Sequence, residues 1–334
     1  MIYTDYNLKR LNSFALNCRA KTLIEIKSEA DLLQLPNLLD KKNIILGKGC
    51  NTIFANEYFD GLVVYLQNKG ISVIEENTDY VVIEAFAGED WDDLIEFCCD
   101  NNFWGIENLA AIPSSVGAAI VQNIGAYGSE IKDSFLSCIT YNPIENTWKE
   151  YNNEECAFGY RYSIFKYPKR FEIIWKIRLR LSLKPNPNTS YYAIKEKIEK
   201  EKINISSPSQ MKEIVTQIRN SKLPDTKLLP NCGSFFKNPV VSEEDFLKLE
   251  KLYPNIPYYP APNGVKLAAG WLIEQTGWKG KRVGNVGMHS KQALCMVSYG
   301  DATAKEILYL AQEITNSIKE KFNIELEKEV HIVL

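Results

Sequence analysis

A chain of 334 residues, 45% hydrophobic and 24% charged, has the composition of an ordinary folded protein of about two or three domains, neither disordered nor fibrous. Its formal net charge of −3 supplies no general electrostatic footprint for nucleic acid or a membrane surface. The opening MIYTDYNLKRLNSF lacks the apolar stretch and cleavage site of a signal peptide, and no apolar run approaches a membrane span, so a cytoplasmic protein is expected. Eight cysteines occur without a CxxC pair, and the only histidines are His289 and His331. No metal centre is expected from that set, and the cysteines read as reduced, small hydrophobic residues. Chemistry then falls to Ser, Tyr, Arg, Lys and carboxylates.

In chain order, TLIEI, a helix opened by the cap pair Ser28 and Asp31, NIILG and GLVVYL predict a small α/β unit over residues 1–66. A second section, 67–200, begins near YVVIEAFAG. It continues into a helix behind an Asp90 cap, where Trp91, Leu94, Ile95 and Cys98 share one face. Later in that section IIWKIRLRLSL alternates Trp175, Ile177, Leu179, Leu181 and Leu183 with polar residues, as a strand with one buried face does. The polar stretch KPNPNTSYYAIKEKIEKEKINISSP reads as a connection carrying a solvated helix. The third section, 201–334, contains a helix with Ser207 as cap, Pro208 at its first position and Gln210 as the capping-box partner, burying Met211, Ile214, Val215 and Ile218. A second amphipathic helix follows through Ile307, Leu310, Ala311, Ile314 and Ile318, and then a strand around EVHIVL.

Five stretches carry candidate chemistry. ILGKGCNTIF ends a strand in Gly47-Lys48-Gly49, a loop whose N–H groups suit phosphate oxygens, though an ordinary turn has the same composition. GIENLAAIPSSVGAAIVQNIGAYGSEI is rich in Gly, Ala and Ser, which permits either close approach to a flat cofactor or close packing of a helix on a sheet. FGYRYSIFK sets Tyr160 beside Arg161, a pair suited to a carboxylate or developing anion, or simply to a solvated surface. In NCGSFFKNP, Gly233 precedes Ser234 as either a reactive serine or a turn entering a strand, with Phe235 and Phe236 on opposite faces. ELEKEVHIVL places Glu327 and Glu329 on one face of an expected strand.

Taken in this order, IPSSVGAAIVQNIGAYGSEI, FGYRYS, SKLPDTKLLPNCGSFFKNP, KLAAGWLIEQ and LEKEV closely resemble the UDP-N-acetylenolpyruvoylglucosamine reductase family, flavoenzymes of peptidoglycan synthesis, over almost the whole chain. The resemblance implies a mixed α+β and α/β fold: a two-part, PCMH-like FAD-binding region followed by a C-terminal α/β substrate-binding domain. It implies non-covalent FAD, NADPH as reductant, and reduction of UDP-N-acetylglucosamine enolpyruvate to UDP-N-acetylmuramate. It also implies a cytoplasmic monomer acting on small molecules, without nucleic-acid or membrane partners.

By the same resemblance Arg161 would stabilise the substrate carboxylate with help from Glu329, and Ser234 would donate the proton to carbon. FAD contacts are implied at Gly47, Lys48, Gly49, Cys50, Asn51 and Thr52, at Pro113, Ser114, Ser115, Val116 and Gly117, and at Asn123, Gly125, Ala126 and Tyr127. Substrate contacts are implied at Tyr160, Tyr191, Lys222, Asn238, Tyr258, Lys266 and Gln292, with Tyr191 preferred to Tyr192 and placing the chain in the subgroup that closes a tyrosine loop over substrate. Cys50 stands where the family has serine, a loss of about 0.5 to 1.5 kcal/mol of hydrogen bonding. Ser114 stands at a family glycine, and a positive φ there would cost about 1 to 2 kcal/mol, so a modestly weakened FAD affinity is expected.

Two other readings remain beside this one. Another flavin oxidoreductase with the same type of FAD domain would act on an alcohol or sugar, often with FAD linked through histidine, and no histidine precedes His289. A non-catalytic sensor of FAD or a UDP-sugar would have no use for Arg161, Ser234 and Glu329 together.

Overall fold

The alternation of IIWKIRLRLSL becomes the strand Ile173–Ser182, in which Trp175, Ile177, Leu179 and Leu181 are buried. It lies at the middle of a five-stranded antiparallel sheet ordered Thr147–Asn152, Phe135–Asn142, Ile173–Ser182, Tyr80–Phe86, Ile71–Glu76. On the polar face Lys176 and Arg178 reach Glu84 of the neighbouring strand at 2.7 and 2.9 Å. Burial opposes the Glu84 carboxylate, but the two cations outweigh it and hold its pKa below the ordinary value.

The computed structural model describes residues 1–38 and 42–334, which fall into two compact units. The first comprises Met1–Tyr6, Ala20–Lys48 and Asp60–Ser221; the second comprises Asn7–Arg19, Gly49–Phe59 and Lys222–Leu334. In the first unit the helix Trp91–Asp100 starts at Asp90, whose side chain accepts the Asp92 N–H, and Trp91, Leu94, Ile95 and Cys98 are buried as their spacing requires. Ser28 and Asp31 form the reciprocal capping box of the helix Glu29–Leu32. The strands Asn43–Leu46 and Tyr58–Leu66 pair in parallel, Ile44 opposite Val63.

The helix Pro208–Lys222 differs from its sequence reading in two respects. Gln210 Oε1 accepts from the Ser206 N–H at 2.8 Å, so the box closes one residue earlier than Ser207, although Ser207 Oγ still accepts the Gln210 N–H at 3.3 Å. Its apolar face, Met211, Ile214, Val215 and Ile218, joins the core of the first unit, so packing divides the chain later than the boundary read at residue 200. The residues chosen for burial are right, but a stripe on one helix does not specify which core receives it.

The second unit has its own core around the helix Ala304–Phe322, whose Ile307, Leu310, Ala311, Ile314 and Ile318 are all buried. Thr303 and Glu306 cap it reciprocally. Around it stand a four-stranded sheet ordered Asn231–Ser234, Cys295–Ser298, Val286–Met288, Arg282–Val283, and a three-stranded sheet ordered Val240–Val241, Gly264–Leu267, Tyr258–Ala261. The terminal strand is shorter than expected, His331–Val333, and pairs in parallel with Thr52–Phe54. Glu327 and Glu329 therefore do not share a strand face. Glu327 is exposed and Glu329 buried, and Lys328 between them bridges to Phe236.

Ile314 is completely buried. Ile314→Ala should lower unfolding free energy by about 2 to 5 kcal/mol through lost transfer energy and a residual cavity. Denaturant titration checks this, and a loss below half a unit would remove the helix Ala304–Phe322 from the centre of its core.

Candidate functional site

In the first unit the segment Pro113–Gly117 is knitted to residues 87–91. The Trp91 N–H donates to Ser114 O at 3.1 Å, Val116 N–H to Glu89 O at 2.9 Å, and Gly117 N–H to Ala87 O at 2.8 Å. A Cβ on Gly117 would lie 2.6 Å from the Ala87 Cβ, and one on Gly47 would lie 2.5 Å from Ser115 Oγ. Both glycines thus permit protein to approach protein, the packing role that the small-residue stretch also allowed. Lys48 forms an ion pair with Asp90, the cap of the helix Trp91–Asp100. Ser114 is not among the positive-φ residues, and its Oγ donates to Ser115 O at 2.9 Å. The backbone penalty expected there does not arise.

The following residues form two tight turns that meet. Gly125–Ala126 pairs with Ser129–Glu130 across Tyr127 (φ +50°) and Gly128 (φ +86°), the two positive φ values that a two-residue hairpin of the favoured hand demands. Asn123, fully buried, donates both amide protons, to Glu130 Oε2 at 2.9 Å and Gly159 O at 3.1 Å. Gly159 and Tyr162 exchange backbone hydrogen bonds of 3.0 and 3.2 Å around Tyr160 and Arg161, and Arg161 stands at φ +53°. A non-glycine residue in this region costs about 1 to 3 kcal/mol and persists only where its surroundings over-determine it. The Arg161 guanidinium donates from Nη2 to Gly125 O at 3.0 Å and lies 5.4 Å from the Tyr160 ring centre. Arg161, Tyr160, Gly125, Ala126 and Asn123 are therefore one cluster.

Tyr191 packs edge-on against Tyr127 with ring centres 5.3 Å apart, whereas Tyr192 is 75% exposed. Burial raises the Tyr127 hydroxyl pKa, opposed by Arg219. Arg219 also lowers the pKa of Asp92, which burial, the larger effect, keeps raised. Sequence reading missed Arg219, together with Asn108 and Asn188. Asn108 is 2% exposed within a stretch of small residues, and a buried amide there was the available signal.

In the second unit Ser234 ends the strand Asn231–Ser234, opposite Cys295. Gly233 before it has φ +68°, and a Cβ there would meet nothing within 4 Å. Phe235 and Phe236 are both buried in one core, their ring centres 5.2 Å apart. The expectation of opposite faces therefore fails, since the strand ends at Ser234, before both rings. Burial pushes the Cys232 thiol pKa up.

Glu329 is held from two sides. Its N–H donates to Phe235 O at 2.8 Å, and its carbonyl accepts from Asn51 Nδ2 at 3.2 Å. Two residues earlier the Lys237 N–H donates to Glu327 O at 2.9 Å, and Lys237 Nζ lies 2.5 Å from Glu327 Oε1. Gly49 (φ +63°) would place a Cβ 1.9 Å from Leu11 O, and Ser13 Oγ donates to Cys50 O at 3.4 Å. Thr52 begins the strand paired with His331. Asn238 Oδ1 accepts the Ala269 N–H at 3.0 Å, and a Cβ on Gly270 would sit 3.4 Å from Gln292 Oε1, so both amides adjoin the start of the helix Ala269–Gln275. Lys266 and Tyr258 lie on neighbouring strands, Lys266 opposite Tyr259 and Tyr258 opposite Leu267. Lys222 ends the helix Pro208–Lys222.

Two family models match the chain: residues 20–142 fit an FAD binding domain, and residues 224–333 fit UDP-N-acetylenolpyruvoylglucosamine reductase, C-terminal domain. The reductase of that name from Flavobacterium johnsoniae is 41% identical over 99% of both chains, and that of Aliivibrio fischeri 42% identical over 100% of this chain and 95% of the relative. The chain belongs to the UDP-N-acetylenolpyruvoylglucosamine reductase family. The Pseudomonas aeruginosa member is 36% identical over 98% of this chain and 97% of its own. The crystal structure of the reductase from Thermus caldophilus covers 100% of this chain and 98% of its own, with a TM-score of 0.69 at 22% identity, and so shares the fold. In this family the architecture is a two-part FAD-binding region of the PCMH type with a C-terminal domain of mixed α and β structure.

The first unit fits FAD. Its small-residue backbone carries positive φ at Ala111, Asn123 and Tyr127, and Asn108 Oδ1 is a buried acceptor without a protein donor among the described residues. No group of three metal-ligating side chains occurs among the described residues, and no helix of theirs is long and apolar enough to cross a membrane.

The two unusual glycines separate by substitution. Gly49→Ala forces a Cβ onto a backbone carbonyl and should destabilise strongly, whereas Gly233→Ala adds only left-handed strain of about 1 to 2 kcal/mol. Thermal unfolding of both variants checks this, and an equal loss would refute the open space beside Ser234.

Proposed function

We propose that this chain catalyses the FAD-dependent reduction of UDP-N-acetylglucosamine enolpyruvate to UDP-N-acetylmuramate in peptidoglycan synthesis, with NADPH as reductant. The observation that carries this reading is the end-to-end similarity to reductases of that name, extending through a C-terminal domain model at residues 224–333. An alcohol or sugar oxidase would share the FAD-binding part and differ in that domain. A passive sensor would gain nothing from an arginine fixed at φ +53°.

FAD, when bound and reduced, supplies the hydride that adds to the terminal carbon of the enolpyruvyl double bond. Gly47, Lys48, Gly49, Cys50, Asn51 and Thr52, with Pro113, Ser114, Ser115, Val116, Gly117, Asn123, Gly125, Ala126 and Tyr127, would hold FAD. The N–H groups of Val116 and Gly117 already donate to Glu89 and Ala87, so these two residues would contribute shape rather than hydrogen bonds. Hydride addition leaves an electron pair on the carbon next to the substrate carboxylate, and its charge spreads into that carboxylate. Arg161 would offset this charge with a planar guanidinium, helped by Glu329 as a protonated or hydrogen-bonding partner. Ser234 Oγ gives its proton to the carbon, after which the oxygen regains one from solvent. A serine hydroxyl is a weak acid, but positioning within hydrogen-bond reach makes it sufficient against a carbon base.

Tyr160, Tyr191, Lys222, Asn238, Tyr258, Lys266 and Gln292 would contact the UDP-sugar, with Tyr191 on the loop that covers it. The open space beside Gly233 admits ligand next to Ser234. Three sections, 1–66, 67–200 and 201–334, would act as two FAD-binding parts and a substrate domain, the helix Pro208–Lys222 of the third packing on the core of the first unit. The protein would work as a cytoplasmic monomer on small molecules, with no nucleic-acid or membrane partner, as its small negative charge favours.

Incubation with NADPH and the enolpyruvyl sugar should form UDP-N-acetylmuramate, detected by mass. Ser234→Ala should leave NADPH reduction of the flavin largely intact and slow its reoxidation by substrate about 10²- to 10⁴-fold. Arg161→Lys should also injure the second half-reaction, since a point charge does not reproduce the guanidinium fork. Equal loss in both half-reactions of Ser234→Ala would exclude the proton-donor role.

A further inference from the structure

The loop between the strand Ile173–Ser182 and the helix Tyr192–Glu201 carries Tyr191, and its sequence, KPNPNTSY, ends in residues bound to the first unit through one side chain. Asn188 Nδ2 donates to Gly128 O at 2.9 Å and to Ser129 Oγ at 3.1 Å. Its Oδ1 accepts from Ser190 N at 3.1 Å and Ser190 Oγ at 2.7 Å, closing a turn immediately before Tyr191. Its main-chain carbonyl accepts from Asn108 Nδ2 at 2.8 Å, and the same nitrogen donates to Tyr127 O at 2.9 Å.

The hairpin on the other side is shaped to receive this loop. A Cβ on Gly128 would come within 2.9 Å of Ser190 Oγ and 3.5 Å of Asn188 Nδ2, so only glycine lets the two chains approach. Tyr127, at φ +50°, then presents its ring to Tyr191. Pro185 and Pro187 limit the conformations open to the loop before Asn188, which lowers the entropy lost when it docks. Asn188 and Asn108 thus tie the chain carrying the substrate-covering tyrosine to the hairpin that carries Gly125, Ala126 and Tyr127.

We infer that Asn188 is a positioning residue for UDP-sugar binding: it fixes Tyr191 over the hairpin 125–130 without itself touching substrate. This rests on the reading of Tyr191 as a substrate contact given above. Removing the Asn188 donors should let the loop leave the hairpin, so that substrate binding has to order it anew. The cost then falls on KM, while the chemistry at Ser234 proceeds as before.

The test uses the full-length flavoprotein and the variants Asn188→Asp, Asn188→Ala and Ser190→Ala. Asn188→Asp keeps the acceptor for Ser190 and loses both donors to the hairpin; Ser190→Ala does the reverse. Asn188→Asp and Asn188→Ala should raise KM for the enolpyruvyl sugar about tenfold, the equivalent of one or two net hydrogen bonds, with kcat nearly unchanged. Chymotrypsin should cut at Tyr191 and Tyr192 about tenfold faster in both variants without substrate, because cleavage of a transiently opened loop tracks its open population. Ser190→Ala should stay near wild type in both measurements.

Unchanged cleavage in Asn188→Asp would overturn the tether itself. Faster cleavage with an unchanged KM would overturn its role in placing substrate. If the wild type fails to turn over the enolpyruvyl sugar, the functional reading fails instead, and the cleavage rates still decide whether Asn188 holds the loop.

Discussion

The C-terminal extended segment is the constraint on which the second unit depends. Through residues 327–329 it bonds to the serine loop at Phe235–Lys237, and through His331–Val333 it pairs with Thr52–Phe54. These partners are far apart in sequence, so the unit is assembled from three separate stretches and closes only when the chain end arrives. The consequence is chemical as well as structural. Ser234 and Glu329 cannot be placed independently, because the residue after the serine accepts the backbone N–H of the glutamate. Phe235 and Phe236, buried side by side, anchor that register from below.

A different economy governs the first unit. There the small residues at Gly47, Ser115, Gly117 and Ala118 allow a strand end, a helix start and the segment 87–91 to come into contact, and several backbone donors are consumed in doing so. The same unit carries turns in left-handed conformation at Tyr127 and Arg161. Arg161 gains its definition from that arrangement: its guanidinium is bonded to Gly125 O and its backbone carbonyl accepts from Lys166 Nζ at 3.2 Å. A cation so fixed has little conformational freedom left to lose, which is the physical meaning of preorganisation.

Local signals in the sequence translated well where one element decides the outcome. The capping pairs at Ser28 and Asp90, the alternation through Trp175 to Leu181, and the buried stripes at Met211 and Ile314 all follow from periodicity and caps. The ordered motifs also identified the family. What periodicity could not show was which core receives a stripe, and the helix Pro208–Lys222 went to the unexpected one. Nor could alternation foresee that Glu327 and Glu329 part company, since the expected strand is only His331–Val333 and their segment bonds instead to Phe235–Lys237, far upstream. Asn188 was hidden for a related reason: in a polar proline-rich loop, one asparagine looks like any turn residue until its partners at Gly128 and Ser129 are known.

One flavoprotein reduced by NADPH and reoxidised by an enolpyruvyl UDP-sugar is what the proposed function requires. Mixing the purified protein anaerobically with NADPH and then with UDP-N-acetylglucosamine enolpyruvate, while following the visible flavin absorbance, tests it directly. Bleaching is expected in the first step and full recovery in the second. Bleaching that persists after the sugar is added would contradict the substrate assignment, and absence of bleaching would contradict NADPH as the reductant.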